Sequence, residues 1–599
     1  MLRTFLAVCL WAALLSCGAT PAPPAALPSV PAVPAAPAAL APPAKPPRPP
    51  ITLSVVGTND LHGALPRLPI LAGYLRNLRA ARQADGGGVL LLDGGDMFQG
   101  TLESNVAEGA DVVTAYNALG YLGAAVGNHE FDFGPVGPAV VASDDAEDRW
   151  GALKARAAEA NFPFLTANII DAKTQAPVTW PNVKRSTLTV VAGVTIGIIG
   201  LSTESTPYTT MPANFIGLQM TAPTEAAISE ARRLRSEGAQ VIAIAAHLGG
   251  KCKDLSNPDD HSSCDATDEA FELARALPAG LVDVIVAGHT HAAVAHRVNG
   301  VPIIESYASG RAFGRVDLQI DAAGKVTSAA IHPPQDLCPP GPQNAPVPTE
   351  QCAPGAYESR PVTRDPELER IVAGAWERTR ARREEKLGVT TSAPITRDYD
   401  RESALGNWFT DMMLTANPRA QVAMTNGGGL RNNVPAGDIT YGQLFEAMPF
   451  DNRFVLIKLT GQQLRELVSG GVSRGGAHTS WGGLTAVASC KADALALELR
   501  VAGKPLDDKK TYTLVTSDFL ASGGDGSLAR LSLTPETVES TSVIMRDGFA
   551  AVLRAQKAKR IDPVKLFDPK TPRLRLPGKR PIKCQAAAAG EPAPAPAPK

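Results

Sequence analysis

Five short apolar runs each stop at residues that can bind a metal or move a proton. Ile51–Gly57 runs into Thr58-Asn59-Asp60-Leu61-His62, and Val89–Leu92 into Asp93-Gly94-Gly95-Asp96. Ala124–Gly127 runs into Asn128-His129-Glu130, Val241–Ala246 into His247, and Val284–Gly288 into His289-Thr290-His291. Open α/β sheets bind ligands beyond the carboxyl ends of their strands. Five such ends would gather Asp60, His62, Asp96, Asn128, His247, His289 and His291 in one place. Imidazole mixed with carboxylate suits zinc, manganese, iron or a similar ion rather than calcium. Seven donors are too many for one divalent ion and suit two, with Asp96 bridging. Two ions about 4 Å apart can clamp the attacking and leaving oxygens of a phosphoryl transfer. A single Asp-x-His, or one histidine after a strand, is most often a core or surface residue. The shared strand-end setting of all five carries the argument.

The elements that must position these residues are equally legible. Candidate strands are Ile51–Gly57, Val89–Asp93, Ala124–Gly127, Val194–Leu201, Val241–Ala246, Val284–Ala287 and Val301–Glu305. They are short and mostly apolar, as strands buried on both faces are. Thr224–Ser236 and Ala266–Leu277 are amphipathic and predict covering helices. This is an α/β layered domain over 51–332. A Pro-rich stretch, Pro333 to Pro361, and a charged helix from Pro366 through Lys386 form a connection over 333–387. That helix opens the second domain or bridges to it. From 388 to 582 strands and helices mix without regular apolar runs, which predicts a separate α+β domain. There is no tandem repeat.

The series Asp60-x-His62, Gly95-Asp96, Gly127-Asn128-His129-Glu130, His247 and Gly288-His289-Thr290-His291 resembles the calcineurin-like metallophosphoesterases, motif for motif and in order. The resemblance covers most of 51–315 and implies a layered αββα metallophosphoesterase fold. By position it implies one metal on Asp60, His62, Asp96 and His291, and another on Asp96, Asn128, His247 and His289. It also implies that His129 contacts the phosphate and stabilises transition-state charge, oriented by Asp132. A carboxylate bonded to imidazole raises its pKa and fixes its tautomer. Glu130, His261, His296 and His332 receive no role and are read as surface or supporting residues.

The second domain carries Asn426-Gly427-Gly428-Gly429-Leu430-Arg431, then Met448-Pro449-Phe450, then Phe519 through Gly526. Singly these are an ordinary Gly-rich turn and ordinary core aromatics. Together they are similar to the C-terminal domain of 5′-nucleotidases over about 385–570. The resemblance implies a nucleotide substrate, with Phe450 and Phe519 stacking on the base. Such stacking tolerates any base. Asp525 would accept from the ribose hydroxyls and Asn426 would sit near base or sugar. Arg431 and Arg401 would bind phosphate through their planar forks, with Arg397 a third contact in some relatives only. The chemistry implied is in-line attack of an activated water on a nucleoside 5′-phosphate, with domain rotation gating entry and release. Neighbouring readings on the same scaffold are a 2′,3′-cyclic-nucleotide phosphodiesterase/3′-nucleotidase and a nucleotide-sugar hydrolase. A thiosulfate-ester hydrolase would leave the two Phe and Asp525 without purpose. A surface-tethered binding protein predicts a missing ligand, and all seven are present.

Composition agrees. The 599 residues include 58 basic and 59 acidic side chains, too even a balance for a nucleic-acid polymer binder. Residues 1–16, with Arg3 and an apolar run to Leu15, read as a signal peptide too short to span a membrane. Leu14-Leu15-Ser16-Cys17 resembles the lipobox of bacterial lipoproteins, which implies lipid on Cys17 and attachment to the cell envelope. The alternative is plain cleavage near Ala19. Residues 17–50 are an Ala/Pro tether and 583–599 an Ala/Pro tail. Of eight Cys, Cys9 leaves with the leader, and outside the cytosol six in the mature chain suggest disulfides. Six Cys allow fifteen pairings. Proximity favours Cys252–Cys264 and Cys338–Cys352, leaving Cys490–Cys584; free thiols or a zinc cluster are the alternatives, and no CxxC supports zinc.

Overall fold

The computed structural model describes residues 49–584, apart from 145, 342–346, 492–493, 532 and 558. The leader, Cys17 and the tether to residue 48 lie outside the described residues, as does the tail from 585. Among the described residues no helix is long and apolar enough to cross a membrane.

The first half is two stacked sheets with helices outside both. One sheet has seven strands in the order Val326–Asp336, Ala312–Ile320, Ile51–Thr58, Gly88–Asp93, Gly123–Ala125, Phe164–Leu165, Val183–Lys184. From Ile51–Thr58 onward its neighbours run parallel. The other has six, in the order Ala293–Val298, Val301–Ser306, Val284–Val286, Val241–His247, Val194–Ser202, Ser186–Val191. Leu53, Val55, Leu90, Leu92, Ile196, Ile198, Ala243 and Val286 form the dry layer between the sheets. Every residue of Val241–His247 is buried, which explains its unbroken apolar run. The helices Leu68–Ala84 and Ala110–Leu119 cover the first sheet, and Pro223–Ser236 and Glu269–Ala276 the second. In Pro223–Ser236 the buried side chains Ala226, Ala227, Ala231 and Leu234 make the single apolar stripe a covering helix needs. This is the expected αββα layering.

Two local readings are corrected. The strand Val326–Asp336 runs through Pro333 and Pro334, past the Pro-rich boundary read at 332. It lies at the sheet edge, where a missing N–H costs no ladder bond. The charged helix stops at Arg383, and Lys386 starts a strand, Lys386–Thr391. Asp365 caps that helix by accepting from the Glu367 and Leu368 amides, Pro366 sits at its first position, and Arg380, Arg382 and Arg383 close it. Its Leu368 and Ala375 pack into the first half's core.

The second half is built on a five-stranded mixed sheet, in the order Thr479–Gly482, Val422–Asn426, Thr511–Ser517, Arg453–Thr460, Val538–Ile544. The helices Ala404–Ala416 and Met545–Ala555 pack on one face and Gly461–Ser473 on the other. All three expected disulfides are formed: Cys252–Cys264, Cys338–Cys352 and Cys490–Cys584.

Candidate active site

The strand ends deliver their polar residues within a few positions of the last ladder bond. Asp60, His62, Asp96, His289 and His291 all have positive φ, from 49° to 88°. Non-glycine residues adopt this region only where the surroundings over-determine it, and such strain clusters at functional sites. The turns also need close approach. A Cβ on Gly127 would meet the Asp96 carboxylate oxygen at 2.2 Å, so only glycine lets the third turn lie against the second.

Two overlapping donor groups result. In one, the Asp60, His62, Asp96 and His291 donor atoms lie within 4.8 Å of one another; in the other, those of Asp96, His247 and His289 do. His62 Nε2 is 2.9 Å from His291 Nε2, and His291 Nε2 is 3.3 Å from Asp60 Oδ1. His247 Nε2 lies 3.1 Å from Asp96 Oδ2 and 3.0 Å from Asn128 Oδ1. Asp96 is common to both groups.

These atoms fit a pair of cations better than they fit one another. Asp60 is fully buried, and its Oδ1 has no hydrogen-bond partner among the described residues. His62 Nδ1 donates to the Gln99 carbonyl at 2.7 Å and His247 Nδ1 to that of Gly94 at 2.8 Å. Each ring's other nitrogen is thereby left as a lone pair aimed into the group, the usual outer support of metal-binding histidine. Burial alone would lower the pKa of His247, yet the carboxylates of Asp96, Asp60 and Glu130 lift it to about 10. His289, half-buried, is held down at about 3 by desolvation and by the facing His247.

His129, beside the donor groups, is tied to a carboxylate that belongs to neither. Its Nδ1 lies 2.6 Å from Asp132 Oδ2, and Asp132 Oδ1 accepts from the Thr210 hydroxyl at 2.9 Å. Burial pushes the His129 pKa down, but Asp132 and then Asp96 outweigh it and raise the value. Its Nε2 is 4.0 Å from Asp96 Oδ2, so the ring faces the donor groups.

Sequence reasoning missed the buried acids around this centre. Glu130 is 1% exposed, so of the two readings given it the supporting one fits, and its carboxylate accepts from the amides of Asp96, Met97 and Gly127. Burial and the Asp96 charge raise its pKa to about 8. Glu305 is equally buried. The one signal for Glu130 was its place beside His129, and Glu305, at the end of a strand that carries no motif, gave none. His296 is also fully buried, contacting the Asp254 carbonyl, while His332 pairs with Asp317.

A cavity of about 1610 Å³ opens from the donor groups to the second half of the chain. His62, Asp96, Asn128, His129, Asp132, His289 and His291 line it from one side, and Asn426, Arg431, Phe450, Phe519 and Asp525 from the other. Asp60 and His247 lie behind its wall. Arg431 Nη2 is 3.0 Å from His62 Nε2, and the rings of Phe450 and His129 are 5.7 Å apart. Asn426 donates to Asp525. Arg401 is not brought in. Its side chain is 82% exposed and pairs with Asp398, because Asp398 caps the turn that carries it outward. Arg397 lines the cavity instead, bonded to the Arg431 carbonyl at 3.1 Å, and Tyr399 joins it. A Cβ on Gly524 would fall 2.4 Å from the Phe519 ring, so that glycine lets the ring lie flat against its loop. The halves also meet through Arg383, which pairs with Glu103 of the first at 2.5 Å and with Glu446 of the second at 2.6 Å.

Comparison with known proteins covers both halves. Residues 53–293 match the family model for calcineurin-like phosphoesterase, and 383–530 that for the 5′-nucleotidase C-terminal domain. The chain is 27% identical to Protein UshA of Yersinia enterocolitica, over 79% of this chain and 86% of that one. It is 26% identical to a 5′-nucleotidase of Vibrio cholerae, over 79% and 85%. The crystal structure of a 5′-nucleotidase precursor from Thermus thermophilus superposes with a TM-score of 0.65 at 24% identity, over 86% of this chain and 99% of that one.

Proposed function

Because the chain belongs to the calcineurin-like phosphoesterases that carry a 5′-nucleotidase C-terminal domain, and is thereby a metal-dependent phosphoester hydrolase, we propose that it hydrolyses nucleoside 5′-phosphates to nucleoside and phosphate. The observation that carries this is the meeting of the two halves. Arg431 and Phe450, from the second, reach His62 and His129, from the first, across one cavity.

Asp60, His62, Asp96 and His291 would hold one divalent ion, and Asp96, Asn128, His247 and His289 the other. Zinc, manganese or a similar ion there supplies Lewis-acid polarisation of the phosphoryl oxygens and an activated water. The remaining work falls to the chain. His129 keeps a proton on Nδ1 through Asp132 and turns Nε2 to the phosphoryl group, where a pre-oriented donor stabilises charge as it develops. Arg431 and Arg397 hold the phosphate from the opposite wall. Phe450 and Phe519 offer ring faces to the base, while Asn426 and Asp525, already paired, present amide and carboxylate to the ribose. Arg383, paired with a glutamate of each half, holds the halves together over the substrate and helps exclude water.

The leader and the Leu14–Cys17 motif support export and lipid attachment at Cys17. Labelling with a radioactive fatty acid, abolished by Cys17→Ser, tests that.

The test of function is product formation, followed by chromatography, from AMP, 3′-AMP, 2′,3′-cyclic AMP and a nucleotide sugar with manganese- or zinc-loaded protein. AMP should lead. Faster turnover of the cyclic or 3′ substrates would replace the proposal with the phosphodiesterase/3′-nucleotidase reading, and preference for the sugar nucleotide with the third.

A further inference from the structure

Glu305 takes no part in the donor groups, yet it joins the turns that carry three of their histidines. It sits at the end of the strand Val301–Ser306 and is 1% exposed. Its Oε2 accepts from the Gly250 amide at 2.8 Å, three residues after His247. Its Oε1 accepts from the Thr290 amide at 3.1 Å and the Thr290 hydroxyl at 2.7 Å. The same hydroxyl lies 2.8 Å from the Gly250 carbonyl. Thr290 stands between His289 at φ 88° and His291 at φ 57°. Two left-handed residues so close together are strained and persist only when clamped. Among the described residues no basic side chain pairs with Glu305, so backbone and hydroxyl dipoles are what it serves. The amides of Gly250 and Thr290 each donate to a different oxygen of Glu305, so both oxygens are needed as acceptors. An amide of the same shape would turn N–H against N–H.

We propose that Glu305 is a positioning residue that locks the turn after His247 to the His289-Thr290-His291 turn and so sets how tightly those histidines hold metal. This rests on the ligand assignment made under the proposed function.

The experiment strips metal with a chelator and then titrates zinc into the full chain against a chromophoric competitor. Glu305→Gln should weaken zinc binding about 10–100-fold, as loss of an outer support typically does. Thr290→Val should match it, the double variant should be no weaker than either single, and Thr290→Ser, which keeps the hydroxyl, should bind like wild type. At saturating zinc most of kcat should return. A lowered melting temperature with unchanged zinc affinity would overturn the proposal, as would fully additive losses in the double variant. If Glu305→Gln fails to fold, the Thr290 pair decides alone. Wild-type chain that takes up no zinc would instead sink the ligand assignment, and the proposal with it.

Discussion

Asp132→Asn removes a charge beside His129 while leaving the shape of the site intact. Asp132 uses both oxygens, one at 2.6 Å from His129 Nδ1 and one accepting from Thr210 at 2.9 Å. An asparagine can keep both contacts, with its carbonyl toward the imidazole N–H and its amide toward the hydroxyl oxygen. Orientation survives and the carboxylate charge does not. Two unit charges near 4 Å at an effective dielectric of 20 interact by about 4 kcal/mol, which sets a ceiling. Hydrogen bonds to charged groups are worth about 1.5–3 kcal/mol against roughly 1 for neutral ones, so the net loss is on the order of 2 kcal/mol. If that loss is felt in the transition state, kcat falls roughly thirty-fold. The assay is steady-state phosphate release from AMP by metal-loaded protein, with bound metal counted in parallel. KM should hold within about two-fold, since only transition-state stabilisation is removed. Metal content should equal wild type, because Asp132 lies outside both donor groups. An unchanged kcat, or a loss confined to KM or to metal content, would refute the role given to the His129–Asp132 pair.

Arg401→Ala should leave kcat/KM for AMP unchanged, since an exposed ion pair is worth about 0–1 kcal/mol. Arg431→Ala should lower kcat/KM roughly 10–100-fold through loss of a charge-assisted contact; equal effects of the two would refute the placement. Phe519→Ala should raise KM for AMP by an amount corresponding to about 1–3 kcal/mol of lost stacking, with ribose 5-phosphate unaffected. Stability should also depend on His478, which is 3% exposed and held at a pKa of about 4 by burial and by Arg580. The unfolded chain takes a proton near pH 6.5 and the native one only near 4. Stability is thus full above pH 6.5 and falls by up to about 3 kcal/mol as pH drops to 4. Urea melts of His478→Gln across that window should show a flatter profile, and an equally steep one would count against the assignment.

The parts of the fold legible in the sequence were those with one dominant cause. Val241–His247 had to be buried on both faces because nothing in it is polar before His247, and the structure buries all of it. Strand-end donors are local in sequence, so Asp60, Asp96, Asn128 and His289 can be read singly and brought together by topology. Glu130 and Glu305 cannot, because their partners are backbone amides, and an amide carries no residue code. The placement of Arg401 and Arg397 differs from the sequence reading for a related reason. Which of two nearby arginines faces the cavity depends on Asp398, whose side chain accepts from the Arg401 amide and guanidinium and turns it outward. The charged helix was extended to Lys386 because Glu384, Glu385 and Lys386 suit a helix as well as a strand start. Pairing of Lys386 with Thr440, distant in sequence, decided it.

The three cystines have a mechanical meaning. Cys252–Cys264 and Cys338–Cys352 close loops of the first half, the latter against its core, and Cys490–Cys584 ties strand to tail within the second. None staples one half to the other. The chain passes between the halves along the helix Pro366–Arg383, and the contacts that join them beyond it are non-covalent, among them Arg383 with its two glutamates, Asn105 with the Pro449 carbonyl, and Leu102 packed into the second half's core. The molecule is therefore two covalently stiffened blocks on one axle. The contacts between them include ion pairs that salt can soften, while the cystines fix distances only inside each block.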